Sequence, residues 1–94
     1  MLVNTSINKM LFAVMPGSKS AIDLYVVAKV REMRINAGYS QVAIAVLLGV
    51  SPGFIGNVES HHSNASYNLR HLNKLAAILN CSPREFLPNH HLNK

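Results

Sequence analysis

The chain has 94 residues, of which 49% are hydrophobic, and it carries a formal net charge of +5 at pH 7. This length fits one small domain, and the basic charge favours an anionic partner such as nucleic acid, although a featureless basic surface is nearly as common. Cys81 is the only cysteine, which excludes an internal disulfide and fits a cytoplasmic protein.

No membrane segment is expected, because no apolar run approaches the roughly 18 residues of a transmembrane helix. The apolar run at residues 10–15 is also shorter than the hydrophobic core of a signal peptide. Residues 1–19 contain the turn signal Pro16-Gly17-Ser18, which indicates an N-terminal tail or arm. The helical pattern of residues 20–88 predicts one domain, and residues 89–94 form a polar C-terminal tail.

The first predicted helix covers residues 21–36. Ser20 caps its N-terminus, and Asp23 places negative charge in its first turn. Gly38 ends the helix. An apolar stripe at helical spacing predicts the buried face, which consists of Ile22, Val26, Val30 and Met33.

Two short helices follow in close succession. The second begins after Ser40 and stops at Gly49, which supplies a left-handed residue. The third begins after Ser51, with Pro52 at its first position, where the missing N–H costs nothing. Because only Gly49-Val50-Ser51 joins them, the two helices must cross at a large angle, as in a helix-turn-helix. The third helix then projects from the body and fits a major groove.

Two further helices complete the domain. The fourth begins after Asn68, and its predicted apolar face consists of Leu69, Leu72, Leu75, Ala76 and Leu79. The fifth is one or two turns long and opens with a capping box of Ser82 and Glu85. The fold class is therefore all-α, a compact five-helix bundle that contains a helix-turn-helix.

The stretch SQVAIAVLLGVSPGFIGNVES resembles the helix-turn-helix of the lambda-repressor/Cro-like group, the XRE family. The matching positions are Ser40-Gln41, Ile44-Ala45, Leu48-Gly49-Val50-Ser51, Ile55 and Glu59. The likeness extends over about residues 22–87 once the flanking helices are included. It implies a sequence-specific DNA-binding transcriptional regulator, usually a homodimer on a two-fold operator.

The resemblance also implies one ion pair and one contact with the DNA backbone. The ion pair joins Arg34 of the first helix to Glu59 at the end of the third, and the alternative is two solvated charges. If the pair is buried, removal of either partner leaves an uncompensated charge. Gln41 is implied to hold the DNA backbone together with the N-terminus of the second helix, and the alternative is a solvated amide.

By the same resemblance, the third helix, at about residues 52–60, presents its outward side to DNA. The outward positions are Ser51, Pro52, Gly53, Phe54 and Asn57, with Gly56 beside them. Asn57 has the amide suited to adenine, and the ring of Phe54 fits a thymine methyl. The glycines suit a close approach of the backbone to DNA. The alternative is a helix that reads little sequence or serves another partner.

A polar loop follows this helix beside the expected DNA face. The candidates for phosphate contact in the loop and the next helix are His61, His62, Ser63, Asn64, Tyr67 and Arg70. Metal binding is not expected, because His61 and His62 lack the i,i+4 spacing of helical ligands and only one thiolate is available. No cofactor is expected either.

The second helix is apolar almost all round, because its core positions are joined by Val42, Ala43, Val46 and Leu47. One interpretation is that the tail segment MLFAVM packs over the domain or exchanges with a partner subunit. The alternative is a disordered tail.

The leading function is a regulator that binds double-stranded DNA as a homodimer. The alternatives are the antitoxin of an operon pair and a protein-interaction module that uses the second helix or the tail. An enzyme is not expected, because the sequence contains no constellation of nucleophile and base.

Overall fold

A computed structural model describes residues 19–93 of the chain. That range contains four α-helices, one short 3₁₀ helix and no β-strand, which confirms the all-α class. The elements are α1 (Ala21–Asn36), α2 (Gln41–Leu48), α3 (Pro52–Val58), α4 (Leu69–Leu79) and the 3₁₀ helix Pro83–Phe86. The tail segment MLFAVM lies outside the described residues, so its packing stays a prediction.

Every α-helix begins at the polar cap that the sequence predicts. The hydroxyls of Ser20, Ser40 and Ser51 accept hydrogen bonds from the backbone N–H three residues further on, at 3.3, 3.0 and 3.1 Å. Asn68 accepts in the same way through Oδ1 at 2.8 Å. Local side-chain chemistry therefore determines where the helices start.

Two of the helices, α2 and α4, end at a left-handed residue. Gly49 ends α2 with φ of 83°, and its N–H donates to the carbonyls of Ala45 and Val46. This conformation is strained for a residue with a side chain, so glycine is the expected choice. Asn80 ends α4 with φ of 56°, a conformation that asparagine tolerates better than most residues, although the sequence pattern did not indicate this role.

One apolar core lies between the helices. Its fully enclosed members are Val30, Ile44, Ala45, Ile55, Val58, Leu75 and Phe86. Two predicted core positions are wrong, because Ile22 is 39% exposed and Leu69 is 80% exposed. Both lie in the first turn of their helices, where the apolar face is left open to solvent to these extents, and Val27 is buried in α1 instead.

The fifth predicted helix is a single 3₁₀ turn of four residues. The predicted capping box is also wrong, because the Ser82 hydroxyl accepts from the backbone N–H of Arg84 at 3.4 Å. Pro83 and Pro88 leave too few residues between them for a run of α-helical hydrogen bonds. Phe86 is fully buried and holds this turn against the core.

Among the described residues, no single helix is long and apolar enough to cross a membrane. Taken together, α2 and α3 pass that test on length and composition alone, although they are bent by 113° relative to each other.

Candidate nucleic-acid interface

The centre of the candidate site is the sharp turn between α2 and α3. The two helices are bent by 113°, which lies within the roughly 90–120° of a helix-turn-helix. Ile55 and Val58 are fully buried and fix one side of α3 against the core. The opposite side is exposed, and the helix ends at Val58, two residues before the predicted end.

Four of the predicted outward residues are exposed on this helix and its cap, namely Ser51, Pro52, Gly53 and Asn57. The Ser51 hydroxyl accepts from the backbone N–H of Phe54, so it holds the helix start. A methyl group added at Gly53 would meet nothing closer than the Ser51 hydroxyl at 3.9 Å. Asn57 is therefore the exposed amide of α3.

Phe54 faces other aromatic side chains. Its ring centroid lies 5.1 Å from that of His71 and 6.3 Å from that of Tyr67, so its principal contacts are within the protein. Tyr67 is only 8% exposed, which makes its predicted phosphate contact wrong. Burial, and then the charge of Glu59, raise the pKa of Tyr67 well above its usual value.

The predicted ion pair between Arg34 and Glu59 is present and bidentate. Arg34 Nε donates to Glu59 Oε2 and a terminal nitrogen donates to Oε1, both at 2.9 Å. The side chains are 8% and 3% exposed. Arg34 also donates to the carbonyl of Tyr39 at 2.7 Å, and Arg31 Nε lies 3.7 Å from Glu59 Oε1. The pair fixes the end of α3 to α1.

Gln41 connects the first turn of α2 to the same carboxylate. Its Nε2 donates to Glu59 Oε1 at 3.0 Å, while the residue as a whole is exposed. A methyl group added at Gly56 would lie 3.8 Å from Gln41 Oε1. Gln41 is therefore held beside α3 by a hydrogen bond from its side-chain amide to Glu59.

Most of the residues predicted to contact phosphates are exposed, in the loop between α3 and α4 or in the first turn of α4. His61, His62, Asn64 and Arg70 are exposed, and Ser63 is half-buried. Among residues 19–93, no group of three histidine, cysteine or acidic side chains converges on a possible metal position. The structure thus presents a polar loop at the C-terminal end of α3.

Two residues near the site were missed by the sequence analysis. Lys19 was assigned to the tail, but it is 3% exposed and its ammonium donates to the carbonyls of Ser60 and Ser63. His71 completes a capping box at α4, where its Nδ1 accepts from the N–H of Asn68 at 3.1 Å. The spacing from Asn68 to His71 was a usable signal, since capping boxes span three residues.

These features together define a helix-turn-helix DNA-binding domain. The helix-turn-helix family model HTH_3 matches residues 30–86, which is more than half of the chain. The chain belongs to this family of XRE-type helix-turn-helix domains, whose members act in transcription regulation.

Solved structures with the same fold include other helix-turn-helix proteins. The restriction-modification controller protein C.AhdI from Aeromonas hydrophila is 33% identical, with 68% of this chain and 94% of that chain covered and a TM-score of 0.58. A hypothetical transcription factor from Neisseria is 25% identical, with 71% and 75% covered and a TM-score of 0.61. No curated protein matches the chain significantly in sequence.

Structures of hydroxypropylphosphonic acid epoxidase from S. wedmorenis share the fold at a TM-score of 0.62 and 21% identity. The match covers 71% of this chain but only 35% of that enzyme. This similarity concerns the helical fold alone and carries no enzymatic chemistry to the present chain.

Proposed function

We propose that the protein is a sequence-specific transcriptional regulator that inserts α3 into the major groove of DNA as a homodimer. The proposal rests on one observation: α3 has one side buried in the core and the opposite side exposed. Ile55 and Val58 are fully buried on one side, while Asn57 is exposed on the other. The bidentate pair of Arg34 and Glu59 holds the helix at a fixed angle to the body. A rigid helix with one exposed amide suits the reading of base edges.

In this proposal the DNA contacts divide into two kinds. Asn57 reads an adenine through a bidentate amide contact. The remaining contacts position the protein on the backbone and carry little sequence information, and they come from Gln41, Ser51, Pro52, His61, His62, Asn64 and Arg70. The peptide backbone at Gly53 lies close to the DNA. Residues 20–88, together with Lys19, form the binding domain.

The test is selection of bound duplexes from a random pool, followed by affinity measurements at two salt concentrations. A regulator of this kind yields a palindromic site, and its affinity falls with salt at a log–log slope of about 0.9 per phosphate contact. Steep salt dependence without a preferred sequence contradicts base reading.

Two substitutions separate base reading from backbone contact. Asn57→Ala is expected to cost about 1–3 kcal/mol at one base pair and to relax specificity there. Gln41→Ala is expected to weaken all duplexes alike. Asn73→Ala is the matched control, because Asn73 is an exposed amide on α4 outside the candidate site. Equal preference of wild type and Asn57→Ala for the selected site overturns the role of Asn57.

A second candidate function, a protein-interaction module, is favoured by the exposed apolar side of α2. Val42, Val46 and Leu47 are 57%, 72% and 45% exposed. An apolar face of this kind suits a protein partner, which is a second subunit for a regulator or a toxin for an antitoxin. Failure to retain any duplex at low salt favours this candidate over the regulator.

A further inference from the structure

Lys19 connects the start of α1 to the loop after α3. The Lys19 ammonium donates to the carbonyls of Ser60 and Ser63, which are 41 and 44 residues away in the chain. The residue is 3% exposed, so little of its side chain meets solvent. Burial of a charged group is costly unless hydrogen bonds compensate for it. The two carbonyls supply that compensation, and the nearby charge of Asp23 adds to it.

The position of Lys19 is itself fixed by the start of α1. The next residue, Ser20, caps the helix through the backbone N–H of Asp23, and its hydroxyl donates to Asp23 Oδ2 at 2.8 Å. Lys19 therefore connects the loop to the capped start of α1.

The same two serines also fold the loop locally. The Ser60 hydroxyl accepts from the N–H of His62, and the Ser63 hydroxyl accepts from the N–H of Ala65, both at 3.1 Å. Each serine thus forms a tight turn through its side chain while its carbonyl binds Lys19. Ser60 directly follows the cap of α3, so this arrangement begins where the base-reading helix ends.

We propose that Lys19 is a positioning residue for DNA binding, which holds the loop at residues 60–66 in one conformation and so presents His61, His62 and Asn64 to the phosphates. The proposal rests on the function proposed above. Its physical basis is pre-organisation, because a loop that is already ordered loses less entropy when it binds. Lys19 itself is buried and does not touch the DNA.

The test compares Lys19→Met with Lys29→Met in the full-length chain. Both variants remove one positive charge, and Lys29 lies on α1 with its side chain 38% exposed beside Glu32. Without DNA, amide hydrogen exchange is measured at His62 and Ala65, with Leu75 in the core as the reference. With DNA, the affinity for the selected duplex and its salt slope are measured.

We expect Lys19→Met to speed exchange at His62 and Ala65 by about tenfold or more relative to Leu75, since tenfold corresponds to about one lost hydrogen bond. We also expect about a tenfold loss of DNA affinity with an unchanged salt slope. Lys29→Met should change neither exchange rate. A salt slope reduced by about 0.9 with unchanged loop exchange would mean that Lys19 contacts a phosphate, which overturns the proposal.

Lys19→Arg is the second variant if Lys19→Met does not fold. It keeps the charge and the donors but moves them further from the backbone. Any increase in loop exchange must therefore be accompanied by a loss of DNA affinity. A change in affinity without a change in exchange overturns the proposal. If the wild-type chain retains no duplex, the proposed DNA-binding function fails, whereas the exchange measurements still report whether Lys19 orders the loop.

Discussion

At Glu59, donors from two helices meet a carboxylate whose side chain is 3% exposed. Arg34 supplies two of the hydrogen bonds and Gln41 a third. Glu59→Gln removes the negative charge and leaves the buried guanidinium uncompensated, so we expect a loss of about 3–5 kcal/mol in the free energy of unfolding. The measurement is urea unfolding followed by circular dichroism. Glu32→Gln is the control, since Glu32 is 62% exposed and should cost less than about 1 kcal/mol. An unchanged midpoint for Glu59→Gln would contradict the prediction.

Gly53 allows a test of whether the backbone of α3 approaches DNA. A methyl group there would lie 3.9 Å from the Ser51 hydroxyl, an unstrained contact, so Gly53→Ala is expected to raise the free energy of unfolding by about 0.4–1 kcal/mol. If the backbone lies against the DNA, the same methyl group must lower the affinity for the selected duplex. We expect both effects, measured by thermal unfolding and by a binding titration. Asn73→Ala is the control, because it also places alanine at an exposed helix position but lies on α4, outside the candidate site. Higher stability with unchanged affinity would show that the backbone at Gly53 stays clear of the DNA.

The start of α4 depends on a histidine in its neutral form. Nδ1 of His71 accepts from the N–H of Asn68, and a protonated imidazole has no acceptor there. Burial, followed by the charge of Arg70, lowers the pKa of His71 in the folded state. The contribution to stability is therefore fully present above the unfolded pKa of about 6.5 and is lost as pH falls through the lower folded value.

We accordingly expect His71→Gln to flatten the pH dependence of stability between about pH 7 and pH 5. Glutamine keeps the capping-box geometry without titrating. The free energy of unfolding should therefore fall less in the variant than in wild type between pH 7 and pH 5, by about 0.5–1 kcal/mol. Denaturant unfolding at several pH values measures the difference. Parallel stability curves for wild type and variant would show that the Asn68–His71 cap does not titrate.

The elements also show which features a sequence can predict. The starts of all four α-helices follow from side chains that bond to their own backbone, as at Ser40 and Asn68, so local information is sufficient. Burial is different, because it depends on which neighbour covers a helix face. Leu69 fits the apolar stripe of α4 yet is 80% exposed, and Lys19 is buried where it binds carbonyls of a distant loop. The ion pair of Arg34 and Glu59 was predicted only because the helix-turn-helix resemblance supplied the long-range pairing.

For the molecule as a whole, one copy of the domain can discriminate only weakly between DNA sequences. Each subunit offers one exposed amide on a seven-residue helix, and a good bidentate contact discriminates bases by about 1–3 kcal/mol. Specific binding typically exceeds non-specific binding by about 4–10 kcal/mol. Two subunits on a two-fold site double this discrimination to about 2–6 kcal/mol, which reaches the lower part of that range. This is the physical reason to expect a homodimer.

The need for two subunits can be tested with three duplexes of equal length. They carry the selected palindrome, one half-site or a scrambled sequence, and we expect the affinity to decrease in that order. Half-sites should lie about one helical turn apart, roughly 34 Å, since two copies of α3 must enter successive major grooves. The measurement is a binding titration at one salt concentration, with sedimentation to count the subunits on each duplex. The Asn57→Ala variant is the control, because loss of both amides should bring the palindrome close to the scrambled duplex. Equal affinity for half-site and palindrome, with one subunit bound to each, would show that a monomer reads DNA alone.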